Sequence, residues 1–264
     1  MHILDKIVAH KKKEVAKNKE AVSIQTLEAS PFFQRACYPF DKNVREKTGI
    51  ISEFKRRSPS KPTINQSADV SHIPQQYYEA GVSAISILTD EHFFGGNAYH
   101  IGIAREEVKC PILRKDFIID EYQIIEAKSI GADVILLITE ILTKEEVASF
   151  SKLAKELGLQ TLLEIHTEAQ IDKYTTDINA IGVNNRDLTQ FTVDPNHSIR
   201  LYPKLPPEAC KISESGIHDI DTILKLKDAG FDGFLIGERF MKTEDPGMAC
   251  KTFIDHLNEK AGAV

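Results

Sequence analysis

The sequence contains no apolar run approaching the ~20 residues that cross a bilayer. It also lacks the long apolar segment of a secretory leader, because Met1 to Val8 is only partly apolar and Lys11, Lys12 and Lys13 follow at once. A membrane protein or an exported one is therefore not expected, and the cytoplasm is. Cysteine is scarce: Cys37, Cys110, Cys210 and Cys250 are widely spaced and form no CxxC pair. That spacing argues against a zinc ribbon or a thioredoxin-like motif and points to free thiols in a reducing compartment. There is no surplus of positive charge, since 33 Lys and Arg stand against 39 Asp and Glu, a net of −6. Nucleic acid and acidic lipid find no bulk attraction in such a chain, so an anionic ligand has to be held by a few placed groups. His72, His92, His100, His166, His197 and His218 show no ligand spacing and are read mostly as surface residues. No metal is expected, and no cofactor motif is present. Ser58, Ser60 and Ser215 have no evident His–Asp partner, which argues against a serine nucleophile. No Gly/Ser-rich or Pro-rich linker divides the 264 residues, so one domain spanning 1–264 is expected.

What is present is a repeat. After residue 48, short apolar runs alternate with amphipathic segments, the runs lying at 49–54, 83–88, 111–113, 133–138, 160–165, 180–183, 210–212 and 233–236. Several are near-continuous Val, Ile and Leu, as in Val134-Ile135-Leu136-Leu137-Ile138, which suits strands buried on both faces. Between them, Thr143 and Glu146 have capping-box spacing, Val147, Phe150, Ala154 and Leu157 make one apolar stripe, and Gly158 can end the helix. Recurrent β-then-α order means a parallel α/β protein. Eight units in a chain of this length favour closure into a (β/α)8 TIM barrel over an open sheet. Residues 1–48 fall outside the repeat and read as an N-terminal helical extension to a barrel at 49–264. Leu4, Ile7, Val8 and Val15 suggest an amphipathic helix there, with Lys11, Lys12 and Lys13 as its solvated face.

Barrel chemistry sits at the C-terminal ends of the strands. Period two puts Glu53 and Lys55 on one face at the end of the first run. Lys115, Glu164, Asn184 and Glu214 end the third, fifth, sixth and seventh. Taken singly, each reads more plainly as a surface residue just past its strand. Together they fall in one layer, and burying so many charges costs stability unless they pair or act. The loops after strands seven and eight, Ser215-Gly216 and Gly237-Glu238, have glycines that let backbone N–H groups approach a phosphate.

These residues resemble indole-3-glycerol phosphate synthases. The resemblance is carried by Glu53-Phe54-Lys55 followed by Ser58-Pro59-Ser60-Lys61, then Leu88-Thr89-Asp90 with Phe94-Gly95-Gly96, and Leu113-Arg114-Lys115-Asp116-Phe117-Ile118. Leu162-Leu163-Glu164, Ile181-Gly182-Val183-Asn184-Asn185-Arg186, Glu214-Ser215-Gly216-Ile217 and Phe234-Leu235-Ile236-Gly237 continue it over nearly the whole chain. Two positions depart from the family: Pro62 replaces the usual glycine and stiffens the first loop, and Glu238 stands where Ser or Thr is frequent beside the phosphate. Its carboxylate is expected to face away, leaving its N–H as the donor.

The resemblance implies conversion of 1-(2-carboxyphenylamino)-1-deoxyribulose 5-phosphate to indole-3-glycerol phosphate, CO2 and water. It implies Lys115 as general acid and Glu164 as acid or base. Lys55 would contact the substrate carboxylate or phosphate, Glu53 would orient both lysines by ion pairing, and Asn184 would hydrogen-bond substrate or Glu164. Phe94, Phe117 and Leu136 would take the anthranilate ring, although plain core packing is the alternative reading of both phenylalanines. Ser58 would lie in the first loop, and Arg186 and Glu214 would orient the site. Ser215, Gly216, Gly237 and the N–H of Glu238 would hold the phosphate. The partner is a small anionic phosphorylated substrate, not nucleic acid or membrane. The chain would be a monomer, with contact to other tryptophan-pathway enzymes open to it. The rival readings are another phosphosugar barrel such as phosphoribosylanthranilate isomerase, a Schiff-base aldolase using Lys115 or Lys55, and a non-catalytic barrel that binds a phosphometabolite. The chain stops soon after the eighth unit, so no second barrel is expected.

Overall fold

A computed structural model describes residues 3–187 and 192–262. The apolar runs form eight strands: β1 (Ile50–Phe54), β2 (Ala84–Leu88), β3 (Ile112–Lys115), β4 (Val134–Ile138), β5 (Gln160–Ile165), β6 (Ala180–Asn184), β7 (Cys210–Glu214) and β8 (Gly233–Ile236). All pair in parallel in chain order, and β8 returns to β1 to close a barrel. The expected (β/α)8 barrel is the fold.

Three strands outlast their apolar runs. β3 takes in Arg114 and Lys115, β6 takes in Asn184, and β7 takes in Ser213 and Glu214. Ladder bonds are made by backbone groups, so pairing continues past the last apolar side chain. Leu88 is registered with Lys115, Ile138 with Glu164, and Asn184 with Glu214. The polar residues are thus the last rungs of the barrel, not the first residues of loops.

Side-chain alternation divides the core in two. Ile51, Leu113, Leu136, Leu162, Ala180, Ile212 and Leu235 fill the barrel, whereas Ile50, Phe54, Ile112, Leu137 and Leu163 pack outward under the helices. Continuing the inward set by two residues gives Glu53, Lys115, Glu164 and Glu214. The helix Lys144–Glu156 has the expected capping box between Thr143 and Glu146 and buries Val147, Phe150 and Ala154. Gly158 follows in the left-handed region at φ 73°.

The N-terminal extension wraps both ends of the barrel. Helix α1 (Ile3–Ala21) lies over the C-terminal mouth, where Ile7 joins the inner core. The helix Phe40–Glu46 closes the opposite end, with Phe40 N donating to Gln160 Oε1 at 2.6 Å and Val44 against Gly233. One expectation is corrected here. Lys11 is not on a solvated face: it is fully buried, with Nζ 2.8 Å from Glu14, 3.0 Å from Asp90 and 2.9 Å from Asp116. Ile7, Lys11 and Val15 are spaced i, i+4, so they share the buried stripe of α1. The lysine reaches across it to two carboxylates at the ends of β2 and β3. All four cysteines are free thiols.

Candidate active site

Lys115 stands at the centre of the mouth. Its Nζ donates to Glu164 Oε2 at 2.7 Å and to Glu214 Oε2 at 2.9 Å. Asn184 Nδ2 donates to the other Glu164 oxygen at 3.2 Å. Strands distant in the chain therefore bring an ammonium, two carboxylates and an amide together. Lys55 Nζ donates to Glu53 Oε1 at 2.6 Å on the β1 side, and Ser86 Oγ to Glu53 Oε2 at 3.4 Å. Glu53 was expected to pair with both lysines. It pairs with Lys55 alone, because Glu164 and Glu214, on the opposite wall, already take up the hydrogen bonds of Lys115.

Burial and charge oppose each other here. Burial alone would lower Lys115, but Glu164, Glu214 and Glu53 outweigh it and hold the group as an ammonium, well above the usual lysine range. Burial pushes Glu164 up, yet Lys115, His166 and the bonds from Lys115 and Asn184 hold it below the usual carboxylate range. Glu214 goes the other way. Burial raises it, the Glu164 and Glu53 carboxylates add to that, and Lys115 only partly offsets them. Two carboxylates sharing one ammonium are thus pushed apart in acidity, the pattern that separates acid and base roles.

The room for this cluster is made by Gly182. A Cβ there would come within 2.1 Å of Glu214 Oε1 and 3.2 Å of Leu162. Next to Glu214, Ser215 adopts φ 69°, and it is the one non-glycine residue with positive φ among the described residues. Gly216 follows at φ 76°. Non-glycine backbone in this region is costly and persists where neighbours enforce it. The neighbour is Asn185, whose Nδ2 donates to Ser215 O and to Ser213 Oγ, both at 3.0 Å. Its Oδ1 accepts from Ser198 N and Oγ.

These side chains border a cavity of about 170 Å³. One side is charged: Glu53, Lys55, Lys115, Glu164 and Glu214. The other is apolar: Phe94, Phe117 and Leu136, with Ile3, Leu4 and Ile7 from α1 as a roof. The Phe94 and Phe117 rings lie 5.8 Å apart between centroids. Ser58, Arg186, Ser215 and Glu238 also line it. Arg186 N donates to Asn184 Oδ1 at 3.0 Å, turning the chain after β6, and Arg186 bridges to Val193. Gly216 and Gly237 lie just behind. Gly216 is pressed against Val193 and Pro195, and Gly237 against Glu53. Ser58 and Lys61 bridge across the first loop, with Ser58 N donating to Lys61 O at 2.8 Å. Lys61 Nζ is ion-paired to Glu238. The carboxylate that departs from the family pattern is thus answered by a lysine of the facing loop. Among the described residues, no three His, Cys, Asp or Glu side chains form a metal-ligand group.

Sequence reasoning missed three contributors. Lys11 was hidden in a basic run, although its i, i+4 relation to Ile7 and Val15 was a usable signal. Asn185 gave no signal, since its partners Ser198 and Ser213 are remote in the chain. His166 was grouped with surface histidines, yet its side chain is only 9% exposed and its Nε2 lies 3.6 Å from Glu164 Oε1. Its position at the end of the fifth apolar run, two residues after Glu164, could have pointed to it.

The fold itself is widely shared. A thiamine phosphate pyrophosphorylase from Pyrococcus furiosus superposes with TM-score 0.60 over 84% of this chain and 98% of its own, at 14% identity. A structure titled native KDPGal does so with TM-score 0.58 over 81% of this chain and 94% of its own, at 12% identity. Such likeness establishes the barrel and nothing about chemistry. Sequence comparison goes further. Curated indole-3-glycerol phosphate synthases are 47% identical in Bacteroides thetaiotaomicron, over 96% of this chain and 97% of that protein, and 39% identical in Salinibacter ruber, over 94% of each. One from Campylobacter jejuni subsp. doylei is 38% identical over 96% of this chain and all of its own length. The family's profile matches residues 4–253, a span that takes in α1, every strand of the barrel and the whole charged mouth around Lys115. By that match and those relatives, the chain belongs to the indole-3-glycerol phosphate synthase family, carboxy-lyases of tryptophan biosynthesis.

Proposed function

We propose that Lys115, Glu164 and Lys55 carry out, in this chain, the ring closure of 1-(2-carboxyphenylamino)-1-deoxyribulose 5-phosphate. The observation that supports this most is the Lys115 ammonium, 2.7 Å from Glu164 and 2.9 Å from Glu214, beside the Phe94 and Phe117 wall. Phe94, Phe117 and Leu136 take the anthranilate ring, since an aromatic substrate needs an apolar wall. Lys115 gives its proton to the ketone oxygen as the ring carbon attacks. A ketone seated at Nζ replaces one carboxylate contact and brings the ammonium toward proton release. CO2 then leaves and restores the aromatic ring. Glu164, aimed by Asn184, removes a methylene proton as the hydroxyl departs as water. Lys55, steadied by Glu53, meets the substrate carboxylate. The phosphate is held by Ser215, Gly216, Gly237 and the Glu238 N–H, while Ser58, Arg186 and Glu214 orient the substrate. A Schiff-base aldolase is disfavoured, because a lysine nucleophile must first lose its proton, and the surroundings of Lys115 hold it.

The test is a steady-state assay with that substrate, following indole absorbance, without added metal or nucleotide. Lys115→Met and Glu164→Gln are expected to lower kcat about 10²- to 10⁴-fold while product affinity stays within a fewfold. Near-normal turnover by Lys115→Met overturns the assignment, and binding without turnover in the parent supports a non-catalytic barrel instead. The same proposal has residues 1–264 acting as one domain, monomeric and cytoplasmic, with contact to other tryptophan-pathway enzymes open. Its support is the acidic balance, the free thiols, and the fact that no described helix is long and apolar enough to cross a membrane. Sedimentation at working concentration tests the monomer.

A further inference from the structure

Ring closure has a proton balance that the residues above do not close. The substrate carboxylate is ionised at neutral pH and leaves as CO2, so its bonding pair stays on the ring. The ketone oxygen leaves as water and needs two protons. The methylene carbon that becomes the second carbon of the indole gives up one. The other comes from solvent in every turnover, and Ile3, Leu4 and Ile7 of α1 border the mouth through which solvent would reach Lys115 directly.

His166 stands between Glu164 and a second, neighbouring cleft. It is the first residue after β5, two positions beyond Glu164, where the chain leaves the strand and bends. Its ring is nine-tenths buried and its Nε2 is 3.6 Å from Glu164 Oε1, the oxygen not bonded to Lys115. Among the described residues neither ring nitrogen has a hydrogen-bond partner and neither is open to solvent, which is unusual for a buried imidazole. The backbone around it is pinned instead: His166 N donates to Gln170 Oε1 at 2.6 Å, and His197 Nε2 lies 2.8 Å from His166 O. The ring is thus held next to Glu164, with Nε2 in ion-pair range of its carboxylate and no hydrogen bond at either nitrogen.

The two residues face different spaces. Glu164 lines the 170 Å³ cavity and not the neighbouring cleft, whereas His166 lines that cleft, about 920 Å³, and not the cavity. Leu4, Asn184 and Arg186 form the partition, since all three line both spaces. The charged groups bordering the cleft are Asp5 and Lys12 from α1, Glu140 after β4, Arg186, Asp187 and Asp194 around the turn after β6, and Arg200 beyond. Four are acids and three are bases, so neither sign dominates the surroundings of the ring.

We infer that His166 is a positioning residue that passes the solvent-derived proton to Glu164. An imidazolium formed at the cleft breaks its N–H bond, the electron pair stays on nitrogen, and an O–H bond forms on Glu164. Glu164 passes that proton inward to Lys115 or the leaving hydroxyl, and the neutral ring, whose nitrogens are closed to solvent in the resting structure, takes its next proton from water when it turns toward the cleft. Imidazole suits this work because one ring nitrogen can take up a proton while the other gives one up. The inference rests on the acid–base reading of Glu164.

His166→Gln and His166→Ala separate the possibilities. Both are expected to keep KM within about twofold and to lose about 10- to 100-fold in kcat, with an increased solvent isotope effect. Added imidazole is expected to restore a large part of kcat in His166→Ala, in proportion to the imidazolium present, and not in the parent. A folded His166→Gln with unchanged kcat and isotope effect overturns the inference, as does a His166→Ala loss that imidazole leaves untouched. If His166→Ala does not fold, the kcat, KM and isotope effect of His166→Gln decide. Glu164→Gln is run alongside. If it keeps turnover, the reading of Glu164 fails, and if it is inactive while His166→Gln is normal, only the role of His166 fails.

Discussion

Lys11→Met tests how far the N-terminal helix is tied into the mouth of the barrel. The side chain keeps its volume and loses its charge, so packing along Ile7 and Val15 is nearly conserved. What changes is electrostatic. Lys11 is fully buried against Asp90 and Asp116, themselves buried, and against the partly exposed Glu14. Removing one partner of a buried ion pair costs about 3–5 kcal/mol, because the charge left behind is unpaired. Two features reduce that cost. Asp116 keeps Thr89 Oγ1 at 2.6 Å and Arg114 at 3.2 Å, and Asp90 Oδ1 still accepts from Phe93 N at 2.7 Å. The expected loss is therefore near the lower end, about 3 kcal/mol, or roughly 6–12 °C in Tm for a chain of this size. Burial raises the Asp116 carboxyl, but Lys11, Arg114 and Thr89 together hold it far below the usual range. A depressed carboxyl stabilises the fold above its unfolded pKa of about 3.9 and loses that contribution as pH falls through the folded value. Without Lys11 the folded pKa rises, so the gap between parent and variant is widest near neutrality and narrows below about pH 4. Urea titrations followed by circular dichroism measure this directly, the chain having no tryptophan to report. A loss under about 1 kcal/mol, or a gap that does not close on acidification, refutes the reasoning, since either result means that the buried charges do not need Lys11.

Three further outcomes follow from the site. Gly182→Ala drives a methyl onto Glu214, 2.1 Å away, so Lys115 loses one of its two acceptors; a drop in kcat larger than the stability loss of about 1–3 kcal/mol is expected, and unchanged kcat would show that Glu214 can move freely. Glu238→Ala removes the carboxylate paired with Lys61 beside the phosphate loops; the pair is partly exposed, so KM should fall only about two- to fivefold, and less at high salt. Glu214→Gln should flatten stability above pH 4: the raised Glu214 carboxyl contributes stability fully below its unfolded value of about 4.3 and loses it as pH rises through the folded value, a loss the amide cannot show. Denaturation midpoints at several pH values check this, and an unaltered pH slope would count against the raised carboxyl.

The alternation of apolar runs and amphipathic segments was enough, from sequence alone, to establish a parallel α/β protein and to favour a barrel over an open sheet, because strands buried on both faces and eight β-then-α units leave few other ways to close a core. The inward layer of Glu53, Lys115, Glu164, Asn184 and Glu214 followed from the same period of two, read at the ends of the runs. Which of these groups meet was decided only in three dimensions. Lys115 could have paired with Glu53, as expected, or with carboxylates 49 and 99 positions later in the chain, as it does. Strand register and barrel closure choose between them, and neither is written in local pattern. Lys11 and His166 make the same point from the other side. A lysine in a basic run and a histidine after a strand look solvated until a remote element supplies Asp90 and Asp116, or Glu164, because burial and pairing are properties of the assembled surroundings and not of the residue.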